Sequence, residues 1–167
     1  MNLVDLNSLP SDRARDEFLR CCGSRRWADL MVFQRPFKNK EAVLSSADAV
    51  WAKTDEIDWL EAFAQHPRIG GKDALRAKFS ATSDWAKNEQ SSVAAADEAV
   101  LDALARGNVE YEAKFGYIFI VCATGKSAAA MLDLLKSRLG NDPKTEKRIA
   151  AGEQAKITKI RLEKLLS

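Results

Sequence analysis

The sequence predicts an all-α fold, a single-domain helical bundle that spans residues 1–167. Breaks are sparse, because the 167 residues include only four prolines and eight glycines. Between these breaks, apolar residues recur at the three- and four-residue spacing of amphipathic helices. Hydrophobic residues make up 46% of the chain and include four tryptophans, enough to bury one sizeable core without a disulfide or a metal.

In the first half of the chain, three helices are predicted, over residues 11–22, 41–53 and 55–65. The first presents an apolar face that includes Ala14 and Phe18, and Gly23 is interpreted as its carboxyl-terminal cap. The third is acidic in its first turn, as the helix dipole favours. It stops at His66-Pro67, because proline disfavours helical geometry in the residue before it.

The second half begins with a long alanine-rich helix from about Asp84 to Arg106. Gly107-Asn108 is predicted to break it before a short segment over 109–115. Two further helices are predicted near the carboxyl terminus, over 127–139 and from Pro143, with Asp142 as its cap, to about Leu166.

Residues 117–123 differ from the rest, because they are continuously apolar and rich in β-branched side chains. Gly116 and Gly125 bound this stretch, and the pattern predicts one buried extended segment. The sequence offers no second strand to pair with it. Its backbone amides and carbonyls therefore need other partners, and a polar ligand is one candidate.

Charge and cysteine usage argue against several classes of function. Lysine and arginine number 26 against 24 acidic residues, for a net charge of +2, so no nucleic-acid partner is indicated. Three cysteines without metal spacing and a single histidine predict neither a disulfide framework nor a metal site. The amino terminus lacks the pattern of a secretion signal, and no apolar run approaches the length of a membrane span. We expect a protein of the cytoplasm that does not bind membranes.

Two glycine-containing stretches look like nucleotide-binding loops but do not fit. Gly125-Lys126-Ser127 ends such a loop, yet Ile120 stands where its first glycine is needed. Gly70-Gly71 lacks the spacing and the strand of a dinucleotide fingerprint. No nucleotide cofactor is predicted.

His66 is the first candidate for chemistry, because it is the only histidine in the chain. Its imidazole can give or take a proton near neutral pH. The alternative is a structural role, since a histidine before a proline can simply end a helix. Its position alone does not decide between the two.

Four stretches occur in order along the chain, and each is a weak motif alone. They are His66-Pro67-Arg68-Ile69-Gly70-Gly71, Trp85-Ala86-Lys87-Asn88-Glu89-Gln90, Tyr111 to Gly116 running into Phe119 to Ala123, and Lys156 to Leu162. Taken together they resemble the family of 2-oxo-4-hydroxy-4-carboxy-5-ureidoimidazoline (OHCU) decarboxylases, which act in the conversion of urate to allantoin, and the resemblance covers nearly the whole chain.

The resemblance implies roles for particular residues. His66 and Glu89 correspond to the family's two catalytic groups, and Arg161 corresponds to a substrate contact whose guanidinium fork fits a carboxylate. An ordinary helix arginine that shields the core is the alternative for Arg161. The other substrate contacts that the resemblance implies are Pro67, Ala86, Lys87, Asn88, Gln90, Phe119, Ile120, Val121, Cys122 and Ala123.

One position departs from the family pattern. Members often carry a serine three residues before the catalytic glutamate, where this chain has Ala86. The loss of one neutral hydrogen bond, worth about 0.5–1.5 kcal/mol, predicts weaker substrate binding but retained chemistry.

The resemblance implies a cofactor-independent decarboxylase that forms (S)-allantoin from OHCU, with no cofactor or metal, and acts as a homodimer. Two alternatives stay open at this stage. One is a non-catalytic helical ligand-binding domain that has kept the fold, and the other is an enzyme of the same fold that acts on a related ureide.

Overall fold

The computed structural model describes residues 1–79 and 97–167 in full and the backbone of residues 91–96. Within these residues every regular element is a helix and no strand forms, which confirms the all-α prediction. The helices are α1 (Leu3–Ser8), α2 (Ser11–Cys21), α3 (Arg25–Phe33), α4 (Lys40–Trp51), α5 (Glu56–Ala64), α6 (Lys72–Phe79), α7 (Ser91–Phe115), α8 (Ala128–Leu139) and α9 (Pro143–Leu165).

Side-chain caps explain where several helices begin. Asn2 and Asp55 each form a reciprocal capping box at α1 and α5, so the backbone N–H groups of the cap residue and of the third helical residue are both satisfied. Single side-chain caps start α3, α4 and α8, at Ser24, Asn39 and Ser127. Polar residues therefore set these boundaries, because their oxygen atoms satisfy N–H groups that a helix start leaves without partners.

The helices predicted over 11–22, 41–53, 55–65, 127–139 and 143–166 are confirmed to within about two residues at each end. Three shorter helices, α1, α3 and α6, were not predicted. The first part of the predicted helix from Asp84 lies outside the described residues.

The predicted break at Gly107-Asn108 is wrong, because α7 runs through both residues. Gly107 is buried, and a Cβ there would overlap the side chain of Leu135 in α8. A glycine inside a helix costs about 1 kcal/mol relative to alanine. The close packing of α7 against α8 is the feature that this glycine permits.

Gly23 is also not the helix cap that its position suggests. Cys22, with an extended backbone, caps α2, and Gly23 does not adopt a positive φ. A Cβ on Gly23 would overlap the side chain of Gln65. Gly23 is therefore needed for a close approach between the end of α2 and the residue that precedes His66.

The chain divides into two compact units. The first contains residues Met1–His66, Ile120–Cys122 and Lys147–Ser167, and the second contains Pro67–Phe119 and Ala123–Glu146. That the whole chain forms one domain stays a prediction. In the described part of the chain, no helix combines the length and the hydropathy that crossing a bilayer requires.

An aromatic and aliphatic core holds the first unit together. Phe18 and Trp27 lie fully buried, with their rings edge to face at 5.9 Å between centroids. The indole N–H of Trp27 donates to the carbonyl of Ala47 at 3.2 Å, and that of Trp51 donates to the carbonyl of Ala151 at 3.0 Å. The second of these bonds ties α4 to the part of α9 that belongs to this unit.

A charged cluster is buried in the second unit. Glu146 is fully buried and accepts hydrogen bonds from Arg138 Nε at 2.7 Å, from the Tyr111 hydroxyl at 2.5 Å and from Asn141 at 3.0 Å. Burial raises the pKa of Tyr111 far above its usual range, and the bond to Glu146 raises it further, so Tyr111 is a hydroxyl donor. The Arg138 guanidinium also lies 4.6 Å from the centroid of the Phe119 ring.

Residues 118–123 are neither helix nor strand, which agrees with the predicted extended segment. Gly116 and Gly125 bound it with φ of +84° and +73°, a backbone conformation that glycine adopts without strain. Burial is less complete than predicted. Among residues 117–123, only Tyr117, Ile120 and Cys122 are buried, and the others are partly exposed.

Candidate active site

His66 lies just after the carboxyl terminus of α5, in the first unit. Its backbone N–H donates to the carbonyl of Phe63 at 3.2 Å, which closes the last turn. The other end of α5 is anchored by Arg26, which donates to Asp58 at 3.0 Å. The proline that follows ends the helix, so the imidazole is placed where a rigid helix stops.

The His66 ring is held by a buried amide. Its Nε2 atom lies 2.5 Å from Oε1 of Gln154 in α9. Gln154 is fully buried, and its Nε2 atom donates to the Thr158 hydroxyl at 3.1 Å. The two side-chain bonds of Gln154 therefore fix the amide, and the amide fixes one edge of the imidazole.

The surroundings of His66 favour its uncharged form. Burial lowers the pKa of His66 below its ordinary value of 6.5, the Gln154 bond opposes this, and the Arg161 guanidinium lowers the pKa further. A neutral imidazole at pH 7 is suited to accept a proton.

This lowered pKa predicts a pH dependence of stability. As the pH falls through 6.5, the unfolded chain binds a proton at His66 before the folded chain does, so the free energy of unfolding decreases until the folded pKa is reached. Urea unfolding at about pH 7.5 and about pH 5.5 should show a smaller loss for His66→Asn than for the unaltered protein. Equal losses would contradict the lowered pKa.

Arg161 is a partly buried residue of α9. Among the described residues its one hydrogen bond is a long one, from Nη1 to the carbonyl of Cys21 at 3.4 Å. The charge lies close enough to His66 to lower the pKa of that imidazole. Arg161 thus keeps most of its five donors for another acceptor.

Two adjacent thiols, Cys21 and Cys22, lie beside Arg161. Burial raises the pKa of each to about 11, although the guanidinium charge lowers both. A hydrogen bond with Thr158 also lowers the pKa of Cys22. Both cysteines are free and buried, so they are protonated thiols near neutral pH and not nucleophiles.

Sequence reasoning missed Gln154 and Thr158. Ala150, Gln154, Thr158 and Leu162 follow one another at four-residue spacing and are all buried. Two polar residues in such a stripe must have polar partners inside the protein. That pattern could have identified them, but it could not have identified His66 as the partner of Gln154.

The predicted substrate contacts fall in both units. Ile120, Val121 and Cys122 belong to the first unit, as do His66 and Arg161. Pro67, Phe119 and Ala123 belong to the second, where Pro67 is exposed and the other two are partly buried. Of the predicted set, the structure brings His66 and Arg161 close to each other. Five predicted residues lie outside the described residues, namely Ala86, Lys87, Asn88, Glu89 and Gln90.

These features define a class of protein: an all-α fold with an uncharged imidazole next to a guanidinium, an arrangement suited to acid–base chemistry on an anionic small molecule. The OHCU decarboxylase family model matches residues 7–163. The chain belongs to the OHCU decarboxylase family.

Two relatives show how the match is distributed. A protein of Arabidopsis thaliana described as "Uric acid degradation bifunctional protein TTL" is 43% identical over 156 residues, which cover 91% of this chain and 47% of that protein. The OHCU decarboxylase of Amia calva is 31% identical over 101 residues, which cover 60% of this chain and 57% of that enzyme. The chain thus spans about half the length of these relatives.

Two solved structures are similar. The crystal structure of an OHCU decarboxylase in the presence of (S)-allantoin is 38% identical, with a TM-score of 0.71, and the match covers 90% of this chain and 97% of that one. The crystal structure of an (S)-allantoin synthase is 19% identical, with a TM-score of 0.69, over 98% of this chain and 54% of that one. The second likeness concerns the fold alone.

Proposed function

We propose that the protein is a cofactor-independent decarboxylase that converts OHCU to (S)-allantoin in urate degradation. The observation that carries the proposal is His66, which stands in the family's His-Pro motif, is held by Gln154 and lies beside Arg161. The similar OHCU decarboxylase, whose structure was determined in the presence of (S)-allantoin, supports the same substrate. The match to this chain covers 97% of that solved chain.

The reaction breaks one carbon–carbon bond and takes up one proton overall. The bond between the ring carbon and the carboxylate breaks, CO2 leaves, and the electron pair forms a double bond to the neighbouring ring carbon, while the π pair of the carbon–nitrogen double bond moves onto the nitrogen, which takes up a proton. The resulting enol then loses its hydroxyl proton to become a carbonyl, and the neighbouring carbon takes up a proton. The imine-like nitrogen of the substrate accepts the electrons, so the chemistry itself calls for no added electron sink.

Each residue has a role in this scheme. Arg161 binds an anionic oxygen of the substrate through the donors that it does not use on Cys21. His66 and Glu89 accept the hydroxyl proton and deliver the new one. Delivery from one face of the planar intermediate gives one enantiomer.

The remaining contacts bind the rest of the substrate. Gln90 offers both donors and acceptors to the ureide, next to Ala86, Lys87 and Asn88. Pro67 and the segment from Phe119 to Ala123, with Ile120, Val121 and Cys122 between them, form the wall and the backbone contacts. The cation–π contact from Arg138 supports a fixed orientation of the Phe119 ring.

We infer that the protein works as a homodimer in the cytoplasm. Several large apolar side chains of the first unit are exposed to solvent and would be covered in a dimer. Phe33, which is 82% exposed, is one of them. The measurement is the molar mass in solution by light scattering. A monomer at all concentrations would contradict the dimer.

Circular dichroism tests the activity directly. Urate is oxidised and hydrolysed to OHCU in the cuvette, and the signal of allantoin is followed with and without the protein. A rapid rise of the (S) enantiomer that depends on the protein supports the proposal. No change, with folded protein, would overturn it. Thermal stabilisation by (S)-allantoin would then favour a non-catalytic binding domain, and turnover of another ureide would favour the related enzyme.

A further inference from the structure

The contact between His66 and Gln154 determines more than the position of a ring. A carbonyl oxygen can only accept a hydrogen bond, and Oε1 of Gln154 lies 2.5 Å from Nε2 of His66. Nε2 must therefore carry the hydrogen in the neutral imidazole. The second ring nitrogen, Nδ1, is then the one with the free lone pair.

The amide has a second contact on its other side. The Gln154 NH2 group donates to the hydroxyl oxygen of Thr158 at 3.1 Å, while its carbonyl faces His66. Thr158 keeps its own proton and can donate it to Cys22, with which it shares a hydrogen bond. Each group in this chain donates to the next, from His66 to Gln154, to Thr158 and to Cys22.

Burial isolates this arrangement from solvent. Gln154 is 0% exposed and Thr158 is 5% exposed, so water does not replace a lost partner. The described residues place no hydrogen-bond partner at Nδ1, which leaves that atom available.

We propose that Gln154 is a positioning residue that holds His66 in the Nε2–H form, so that Nδ1 carries the proton exchanged with the substrate. The exchange of a proton between Nδ1 and the substrate rests on the proposed function. The hydrogen on Nε2 follows from the contact with Gln154 alone. In the protonated ring, Nε2–H stays bonded to Gln154 and only the hydrogen on Nδ1 comes and goes.

Nitrogen NMR of the imidazole tests the proposal at a single site. His66 is the only histidine, so in protein labelled with ¹⁵N-histidine both side-chain signals belong to it. Above the titration midpoint we expect the shift of a protonated nitrogen at Nε2 and of an unprotonated nitrogen at Nδ1. The opposite assignment in the unaltered protein would overturn the proposal without any variant.

Two substitutions separate positioning from folding. Gln154→Leu removes the acceptor, and we expect a mixture of the two neutral forms and a lower titration midpoint. Gln154→Glu keeps an acceptor of the same size, and we expect the Nε2–H form to persist with a raised midpoint. Gln34→Leu makes the same exchange at an exposed residue and should leave both signals unchanged.

Kinetics complete the test. Because Gln154 acts through His66, Gln154→Leu should lower kcat by about 10- to 100-fold, the scale of other groups that orient a histidine ring, and should change KM little. An unchanged neutral form or an unchanged kcat in Gln154→Leu would overturn the positioning role. If Gln154→Leu does not fold, the imidazole nitrogen signals of Gln154→Glu and of the unaltered protein still test whether Gln154 holds the Nε2–H form. An Nε2–H ring in a protein that forms no allantoin would contradict the proposed function and leave the ring assignment standing.

Discussion

His66→Ala should abolish the formation of (S)-allantoin, lowering kcat by about 100- to 10,000-fold, the contribution of a positioned proton donor or acceptor. No other histidine can substitute, because the chain contains one. Burial of the His66 side chain lowers its pKa and so favours the neutral ring. His66→Asn should have a similar effect, since an amide does not titrate near pH 7.

The measurement is the rate of the dichroic signal of (S)-allantoin with OHCU formed in the cuvette. Lys38→Ala, at an exposed position of the same unit, is the matched control and should retain the full rate. Far-UV dichroism and the melting temperature establish that both variants are folded. A His66→Ala variant that is folded and forms (S)-allantoin at the unaltered rate would remove His66 from the mechanism.

Glu146→Gln should lower the free energy of unfolding by about 3–5 kcal/mol, the cost of removing one partner from a buried ion pair. Glu146 is 0% exposed and Arg138 is 5% exposed, with 2.5 Å between the closest atoms of the pair. The amide has nearly the same shape as the carboxylate but no charge. It removes the negative charge that Glu146 sets against the buried Arg138 guanidinium and turns one accepting atom into a donor.

Urea unfolding measures the effect. Glu110→Gln makes the same exchange at an exposed position of α7 and should change stability by no more than about 0.5 kcal/mol. The double variant Glu146→Leu with Arg138→Met should recover part of the loss, since well-packed apolar residues often replace a buried ion pair without cost. A Glu146→Gln variant as stable as the Glu110→Gln control would contradict a stabilising role for the buried ion pair.

The buried pair also bears on the site. Arg138 contacts both Glu146 and the ring of Phe119, one of the predicted substrate contacts. Loss of the carboxylate removes one of the contacts that hold the guanidinium against the ring, so the cation–π contact should weaken. In the folded fraction of Glu146→Gln, KM should rise more than kcat falls, because the role proposed for Phe119 is substrate binding and not proton transfer.

Local patterns account for what could be predicted of the fold. Apolar spacing identified the helices that became α2, α4 and α8, because a helix with one buried face carries its period in the sequence. Signals at the helix ends identified α5, with its acidic first turn and its stop at His66-Pro67, and α9, with Asp142 and Pro143 at its start. Helices α1, α3 and α6 are six to nine residues long and were not recognised. The break predicted at Gly107 is wrong because a glycine is a local signal for the end of a helix, whereas Leu135, which packs against Gly107, is distant in the sequence.

The sequence by itself determined the all-α class, the family and the identity of His66 as the lone titrating imidazole. Only the tertiary structure decided which groups surround that imidazole. His66 and Gln154 are 88 residues apart in the chain, and Tyr111 and Glu146 are 35 apart. Periodicity states which face of a helix is buried, but the partner of a buried polar group is chosen by how distant helices pack, and no local pattern encodes that pairing.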